Sequence, residues 1–306
     1  MHEMVSIDYV TLDVFTGHAF GGNPLAVIAD ARGLTDAEMQ AIAGEFNYSE
    51  TTFVLPPADA RAAALVRIFM PSRELPFAGH PNVGTAFVTA AKGELFGRRL
   101  GDEFLFEEKA GLVRISIRRE HGAVAGATLA APQALVIGRS VAAKIVAGCV
   151  GLEPGDLKTG DGFPVVASVG LPFLFAELKD RGALARSRPT VAFAQQVPGL
   201  GADAIHLFVR EGTRVAARMF FGSGAGVIED PATGSANVAL AALLAERLSA
   251  RDAELALEIS QGEDMGRPSR LQAHAVKRDG RIERAEIGGQ CIEMMRGRLC
   301  FARRRA

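Results

Sequence analysis

Two segments half a chain apart are built to one design. Pro76-Phe77-Ala78-Gly79-His80-Pro81-Asn82-Val83-Gly84-Thr85-Ala86 and Glu229-Asp230-Pro231-Ala232-Thr233-Gly234-Ser235-Ala236-Asn237-Val238-Ala239 each carry Gly-x-x-Asn-Val at a turn that opens a helix. Gly79 and Gly234 lie 155 residues apart in a chain of 306. Upstream, Arg67-Ile68-Phe69-Met70-Pro71-Ser72 is matched 151 residues later by Arg218-Met219-Phe220-Phe221-Gly222-Ser223. The second copy therefore holds four more residues between strand and turn, which a loop insertion explains. Two motifs recurring in the same order indicate an internal duplication. Two copies are too few for a solenoid, so the expected result is a pair of pseudo-symmetric lobes. A helix start offers unpaired N–H groups and the positive end of a dipole. Two such starts, one per half, can face each other across a cleft and hold an anionic ligand.

The length suggests about two domains. With 48% hydrophobic and 23% charged residues, the composition is that of an ordinary soluble globular protein. A formal net charge of −1 provides no field to recruit nucleic acid or an anionic membrane. The absence of Trp and the presence of only two Tyr argue against base-stacking platforms. The run Arg303-Arg304-Arg305 reads as a solvated tail. Cys149, Cys291 and Cys300 are far apart, which disfavours a disulfide framework and a structural zinc site. The six histidines are scattered singly, so metal ligation has weak support. Met1-His2-Glu3-Met4 lacks the basic start of a signal peptide, and no apolar run reaches the ~20 residues that span a bilayer. A cytoplasmic protein is expected.

Alternation of apolar and polar residues predicts a strand over 5–14, and Gly21-Gly22-Asn23-Pro24 a turn before a strand over 25–28. Thr35 and Glu38 form the sequence signature of a capping box. Met39, Ile42, Ala43 and Phe46 then mark one helical face. Tyr48 to Thr52 end that helix and enter a β-favouring run to Leu55, a further strand is expected over 64–70, and then a helix after His80 with Pro81 in its first turn. Residues 104–106 and 112–117 read as a hairpin around Gly111, and 141–150 as a helix. Strands follow over 165–166, 173–178, 204–209 and 215–221. The helix from Ser235 to Leu248 is apolar almost all round and is expected to be central and buried. Late strands are expected over 255–259, 271–276 and 282–287.

The fold class is α+β, with two similar lobes of short strands around one inner helix each. No low-complexity linker marks the boundary, which is placed near Gly122. This gives lobes over 1–122 and 123–290, the first completed by the C-terminal strand near 291–306. The Gly-rich stretches Gly79 to Gly84 and Gly222-Ser223-Gly224-Ala225-Gly226 lack the dinucleotide-binding spacing, and no Walker lysine follows a glycine run.

Glu50 is the most suggestive carboxylate, at a helix-to-strand junction among Ser49, Thr51 and Thr52. Buried there, it would have a raised pKa and could shuttle protons near neutrality. An exposed loop glutamate is the commoner case. His80 can be a neutral donor or relay, or simply pack in the turn. Asp230 can cap the second helix or orient a substrate. Ser235 and the Gly234 amide can bind a carboxylate, with an N-cap serine as the plainer reading. The turn-dense run Gln261 to Ser269 reads as a plain connection that could rim a cleft.

At these residues the chain resembles the PhzF-like phenazine-biosynthesis family, whose fold is shared with diaminopimelate epimerase. The matching stretches are Asp13-Val14-Phe15-Thr16, Gly22-Asn23-Pro24-Leu25-Ala26-Val27, Ser49-Glu50-Thr51, Ala78-Gly79-His80-Pro81, Glu229 to Ala236, Gln261-Gly262 and Met265-Gly266-Arg267-Pro268-Ser269. The chain departs from the family pattern at Phe221-Gly222, where a proline is usual. The resemblance implies two lobes, each a barrel-like β-sheet wrapped around a central helix, with the active site between them. It implies proton transfer with no cofactor, a small carboxylate substrate and a homodimer. It also implies Glu50 as the proton-moving residue, with His80, Asp230, Ser235 and Gly79 around the substrate. Epimerases and racemases of this fold use two thiols, one per lobe. Neither repeated motif here contains cysteine, so two-thiol racemisation is disfavoured.

The expected activity is isomerisation of a small, cyclic carboxylate, in which one carboxylate serves in turn as base and acid. Two other readings stay open. One is a small-molecule binder or sensor that kept the cleft without the chemistry. The other is an epimerase using Glu50 with His80.

Overall fold

A computed structural model describes residues 3–223 and 226–303 of the chain. Gly224 and Ala225 of the Gly-rich run, the Met1-His2 start and the Arg304-Arg305 end of the basic run lie outside the described residues. The chain divides into unit 1, residues 1–129 and 288–306, and unit 2, residues 130–287.

Unit 1 contains β1 (Met4–Val14), β2 (Asn23–Ile28), α1 (Asp36–Phe46), β3 (Glu50–Leu55), β4 (Ala64–Phe69), β5 (Glu74–Leu75) and α2 (Gly79–Lys92). A small hairpin of β6 (Glu94–Leu95) and β7 (Arg98–Arg99) follows, then β8 (Glu103–Glu108), β9 (Gly111–Glu120) and β10 (Ala123–Ala130). Unit 2 contains β11 (Val136–Ser140), α3 (Ala143–Cys149), β12 (Val165–Ser168), β13 (Pro172–Glu177), α4 (Arg181–Arg186) and α5 (Val191–Gln196). It continues through β14 (Ala204–Glu211), β15 (Arg214–Ser223), β16 (Gly226–Asp230), α6 (Gly234–Glu246), β17 (Ala253–Gln261) and β18 (Ser269–Arg278). The last strand, β19 (Arg281–Ala302), begins in unit 2 and ends in unit 1.

Strand pairing in unit 1 closes on itself. β19 pairs with β1, which pairs in turn with β2. The order then runs β3, β4, β8, β9 and β10, and β10 returns to β19. The result is a closed barrel around α2. Unit 2 uses the same order of parallel and antiparallel steps: β11, β12, β13, β14, β15, β17, β18 and β19. Each unit has two parallel steps, at β2–β3 and β4–β8 in the first and at β13–β14 and β15–β17 in the second. The duplication read from the motifs is thus a duplication of topology. The Gly122 turn joins the paired strands β9 and β10 and so lies inside unit 1, not at its boundary. A hairpin glycine with φ +81° and a domain joint look alike in composition.

The central helices are buried for a reason visible in their composition. In α6 every residue except Ser235 and Glu246 is buried, and the run is Ala- and Leu-rich. In α2 small residues let the helix approach the sheet. A Cβ on Gly84 would stand 2.5 Å from Leu25 Cδ2, 2.8 Å from Val14 Cγ2 and 2.9 Å from Leu12 Cδ1. The peripheral helix α1 starts where expected. Thr35 N donates to Glu38 Oε2 at 2.8 Å, and Glu38 N returns a bond to Thr35 Oγ1 at 3.3 Å. Met39, Ile42 and Ala43 are buried against Ile28, Phe53 and Phe69.

The same clamp precedes both central helices. Arg67 Nε and Nη2 donate to Glu74 Oε1 and Oε2 at 2.8 and 2.7 Å. Arg218 donates to Glu229 through the same atoms at 2.8 and 2.7 Å. Each guanidinium also lies over the ring two residues on, Phe69 at 5.1 Å and Phe220 at 5.0 Å. The two strand pairs are in identical register, with Phe69 opposite Glu74 and Phe220 opposite Glu229.

Arg303 corrects the expected solvated tail. It donates to Glu38 Oε1 and to the Gly33 carbonyl, each at 2.8 Å, and ties the end of β19 to α1. Among the described residues no helix is long and apolar enough to cross a membrane.

Gly84→Ala is expected to overpack the contact of α2 with β1 and β2 and to lower stability by about 1–3 kcal/mol, read from urea denaturation.

Candidate active site

In unit 1 three strand and helix ends converge. Asn47, in the left-handed region at φ 51°, ends α1 and turns the chain towards β3, whose first residue is Glu50. Strand β2 runs parallel beside it and sets Leu25 against Glu50. The first turn of α2 brings His80 to the same place. Its Nε2 is 3.3 Å from Glu50 Oε2, with the two side chains only 7% and 14% exposed. The expectation of an exposed loop glutamate is therefore corrected. The junction that looked like a loop is the mouth of a parallel strand pair, covered by the helix start.

The electrostatics of this pair are set by burial. Desolvation pushes the His80 imidazole down to about 3, against a hydrogen bond to the Pro24 backbone that favours its charged form. At neutral pH the contact is a carboxyl group beside a neutral imidazole, not an ion pair. The Pro24 backbone bond orients the ring and leaves Nε2 towards Glu50.

In unit 2 the turn before α6 forms a hydrogen-bonded knot. Asp230, the last residue of β16, is buried, and Thr233 Oγ1 donates to its Oδ2 at 2.5 Å. Gln261 ties both ends together. Its Nε2 donates to the Asp230 carbonyl at 2.8 Å and to Thr233 Oγ1 at 2.9 Å. Its Oε1 accepts from Thr233 N at 3.2 Å and from Asn237 Nδ2 at 2.8 Å. Ser269 Oγ donates to the Pro231 carbonyl at 2.9 Å, and a Cβ on Gly262 would lie 2.7 Å from that oxygen.

Two expectations change here. Asp230 is the last residue of β16, four positions before the first residue of α6, and Ser235 is not the N-cap of that helix. The N-cap position belongs to Thr233, whose hydroxyl is engaged with Asp230 and caps nothing. Ala78, the N-cap residue of α2, has no capping atom. Both central helices thus start without a side-chain cap, so the first-turn amides at Gly79 and at Gly234 and Ser235 are available to an anion. Gln261, Gly262 and Ser269 have more than the role of a plain connection that their turn-dense run suggests. Gln261 and Ser269 prop up the Asp230 turn through their bonds to Asp230, Thr233 and Pro231. The Gln-Gly pair at a strand end was the available signal, because Gly262 has φ +76°.

The thiols occupy other environments. Cys149 lies in the unit 2 core, and burial raises its pKa. Cys291 is buried in β19 and pushed up to about 12. Neither is poised as a thiolate near neutrality. Among the described residues no three His, Cys, Asp or Glu side chains cluster as metal ligands would.

The chain is similar to known proteins over nearly its whole length. The family described as phenazine biosynthesis-like protein matches residues 12–297. A protein of Pseudomonas aeruginosa named trans-2,3-dihydro-3-hydroxyanthranilate isomerase is 35% identical over 294 residues, covering 95% of this chain and 98% of its own. An uncharacterized isomerase of Mesorhizobium japonicum is 34% identical over 304 residues, covering 97% of this chain and 99% of its own. The crystal structure of a Bacillus anthracis phenazine biosynthesis protein of the PhzF family superposes with a TM-score of 0.82 at 25% identity, covering 96% of this chain and 99% of that one.

Buried neutral histidines give the protein an acid limit. His80 and His206 are both held near 3 by burial, well below the ordinary 6.5. Between these values the unfolded chain binds protons at both residues and the folded chain does not, so stability falls as pH drops from 6.5 towards 3. Replacing His206 by Gln should remove about 1.4 kcal/mol per pH unit from that slope, measured by urea denaturation at several pH values.

Proposed function

From the premise that this chain belongs to the phenazine biosynthesis-like protein family, we propose that it is an isomerase that moves a proton between carbons of a small, cyclic, carboxylate-bearing substrate. The observation that carries the reading is the 3.3 Å contact of Glu50 Oε2 with the neutral imidazole of His80. The carboxylate form of Glu50 takes a proton from one carbon, and the resulting acid returns it to another. One group thus serves both half-reactions, and the enzyme ends in the state in which it began. His80 stays neutral through the cycle and orients the carboxyl. The uncapped first turn at Gly79 holds negative charge on the substrate. No cofactor enters this scheme.

Gly234 and Ser235 are assigned, with Gly79, to substrate binding. Asp230, whose carboxylate accepts from Thr233 Oγ1, is assigned to the catalytic set with Glu50 and His80, to position the substrate or relay protons. The first compound to test is trans-2,3-dihydro-3-hydroxyanthranilate, for which the Pseudomonas aeruginosa relative is named. A homodimer in the cytoplasm completes the proposal, to be checked by light scattering and cell fractionation.

Glu50→Gln should reduce turnover on the order of 10²–10⁴-fold with the fold retained by circular dichroism. Turnover in deuterium oxide should carry solvent deuterium into product carbon. Unchanged turnover in Glu50→Gln rejects the assignment. Binding without deuterium incorporation identifies a sensor, and inversion at a single carbon identifies an epimerase. Asp230→Asn should raise KM about tenfold or more, as expected when a charge-assisted hydrogen bond of roughly 1.5–3 kcal/mol is lost.

A further inference from the structure

Glu108 is a buried carboxyl group that the proposed reaction does not use. It ends β8, is 6% exposed, and neither of its oxygens receives a well-formed hydrogen bond. The polar side chain beside it is Asn82, in the first turn of α2. Asn82 Oδ1 also lacks a partner, while its Nδ2 donates to the Ala78 carbonyl at 2.9 Å.

The internal duplication gives this position a counterpart. β8 and β17 are equivalent strands, each parallel to the one that carries the clamping arginine. Asn82 and Asn237 both stand three residues after the helix-opening glycine. Asn237 Nδ2 donates to the Thr233 carbonyl at 3.0 Å, as Asn82 does to Ala78. The residue at the end of β17 that meets Asn237 is Gln261. Glu108 therefore occupies the place in unit 1 that Gln261 occupies in unit 2. Gln261 accepts at one atom and donates at the other, its Nε2 reaching the Asp230 carbonyl. The counterpart of Asp230 in the aligned motifs is Leu75, whose carbonyl can only accept. An ionised carboxylate has no donor for such a place, whereas a carboxylic acid has one O–H and remaining acceptor capacity.

We propose that Glu108 works as a neutral carboxylic acid that does for the start of α2 what the amide of Gln261 does for the start of α6, and is thereby a positioning residue for His80. Burial supports this by raising its pKa well above 4.5, with Asn82 pulling the other way. The titratable groups on the elements packed nearby are otherwise engaged. His80 on α2 is held neutral. Glu74 is bound by Arg67 and Lys109. Glu107 accepts from the amides of Ala58 and Asp59.

The role as a positioning residue rests on the isomerase reading, but the protonation state does not. Three variants of the full chain decide between them. Infrared difference spectra of wild type against Glu108→Gln at neutral pH should show a protonated-carboxyl C=O band that the variant lacks. The stability of wild type relative to Glu108→Gln should fall as pH rises above about 4.5, because the raised group keeps its proton only in the folded state. Glu108→Ala should lose up to about 10²-fold in kcat through misplacement of His80, and Glu108→Gln should restore it. Absence of the band, or a flat stability difference, overturns the proposal whatever the activity. If both spectral and stability results hold but Glu50→Gln retains turnover, the isomerase reading fails and the neutral acid stands. Equal kcat in Glu108→Ala and wild type overturns the positioning role.

Discussion

Each unit of this protein is organised by a guanidinium clamped to the glutamate ahead of its central helix. Arg67 with Glu74, and Arg218 with Glu229, make two parallel charge-assisted bonds at 2.7–2.8 Å, from side chains that are largely buried. A buried pair of this kind is costly to desolvate, and breaking it by removing one partner is costlier still. Its usefulness lies in geometry. The planar fork accepts one orientation of the carboxylate, which sets the register of the short strand and the direction of the turn. The helix that follows then starts at a defined point beneath the sheet, with Gly79 or Gly234 as its first residue.

On that common frame the two copies carry different chemistry. Glu50 precedes Thr51, which stands opposite Phe69; Ala204 precedes Ile205, which stands opposite Phe220. The carboxylate of β3 thus has no counterpart on β14. Conversely, Asp230 is matched by Leu75, and Ser235 by His80. Each unit keeps one acid near its helix start, in a different place. Duplication supplied two scaffolds, and divergence at a few positions allotted the roles. This asymmetry suits a reaction in which a single group both removes and returns the proton. A mirrored pair of bases would be expected for racemisation at one carbon.

Much of this was readable in local sequence. The capping box of Thr35 and Glu38, the hairpin around Gly111, the strands flanking Glu211-Gly212 and the buried α6 all depend on neighbours within a few residues. So does the repeat, because two copies of one motif must satisfy the same local geometry. Other features were not readable. Gln261 and Ser269 looked like parts of a connection because their partners, Asp230, Thr233 and Pro231, lie some 30 residues away or more. Gly122 looked like a boundary because a hairpin turn and an interdomain joint use the same residue. Arg303 looked like part of a solvated tail because its acceptors, Glu38 and Gly33, belong to the other end of the chain.

The amino-acid order alone established the doubled motif, the α+β class and the small set of polar residues at the helix starts, since turn chemistry and periodicity are written between near neighbours. Burial belongs to the folded barrel. Only there does Glu50 meet His80 across 30 residues, with water largely removed from both, and only there is the imidazole held neutral well below its ordinary 6.5. Desolvation is a property of everything packed around a group, so the ionisation that governs this site could be decided only once the strands and helix had closed over it.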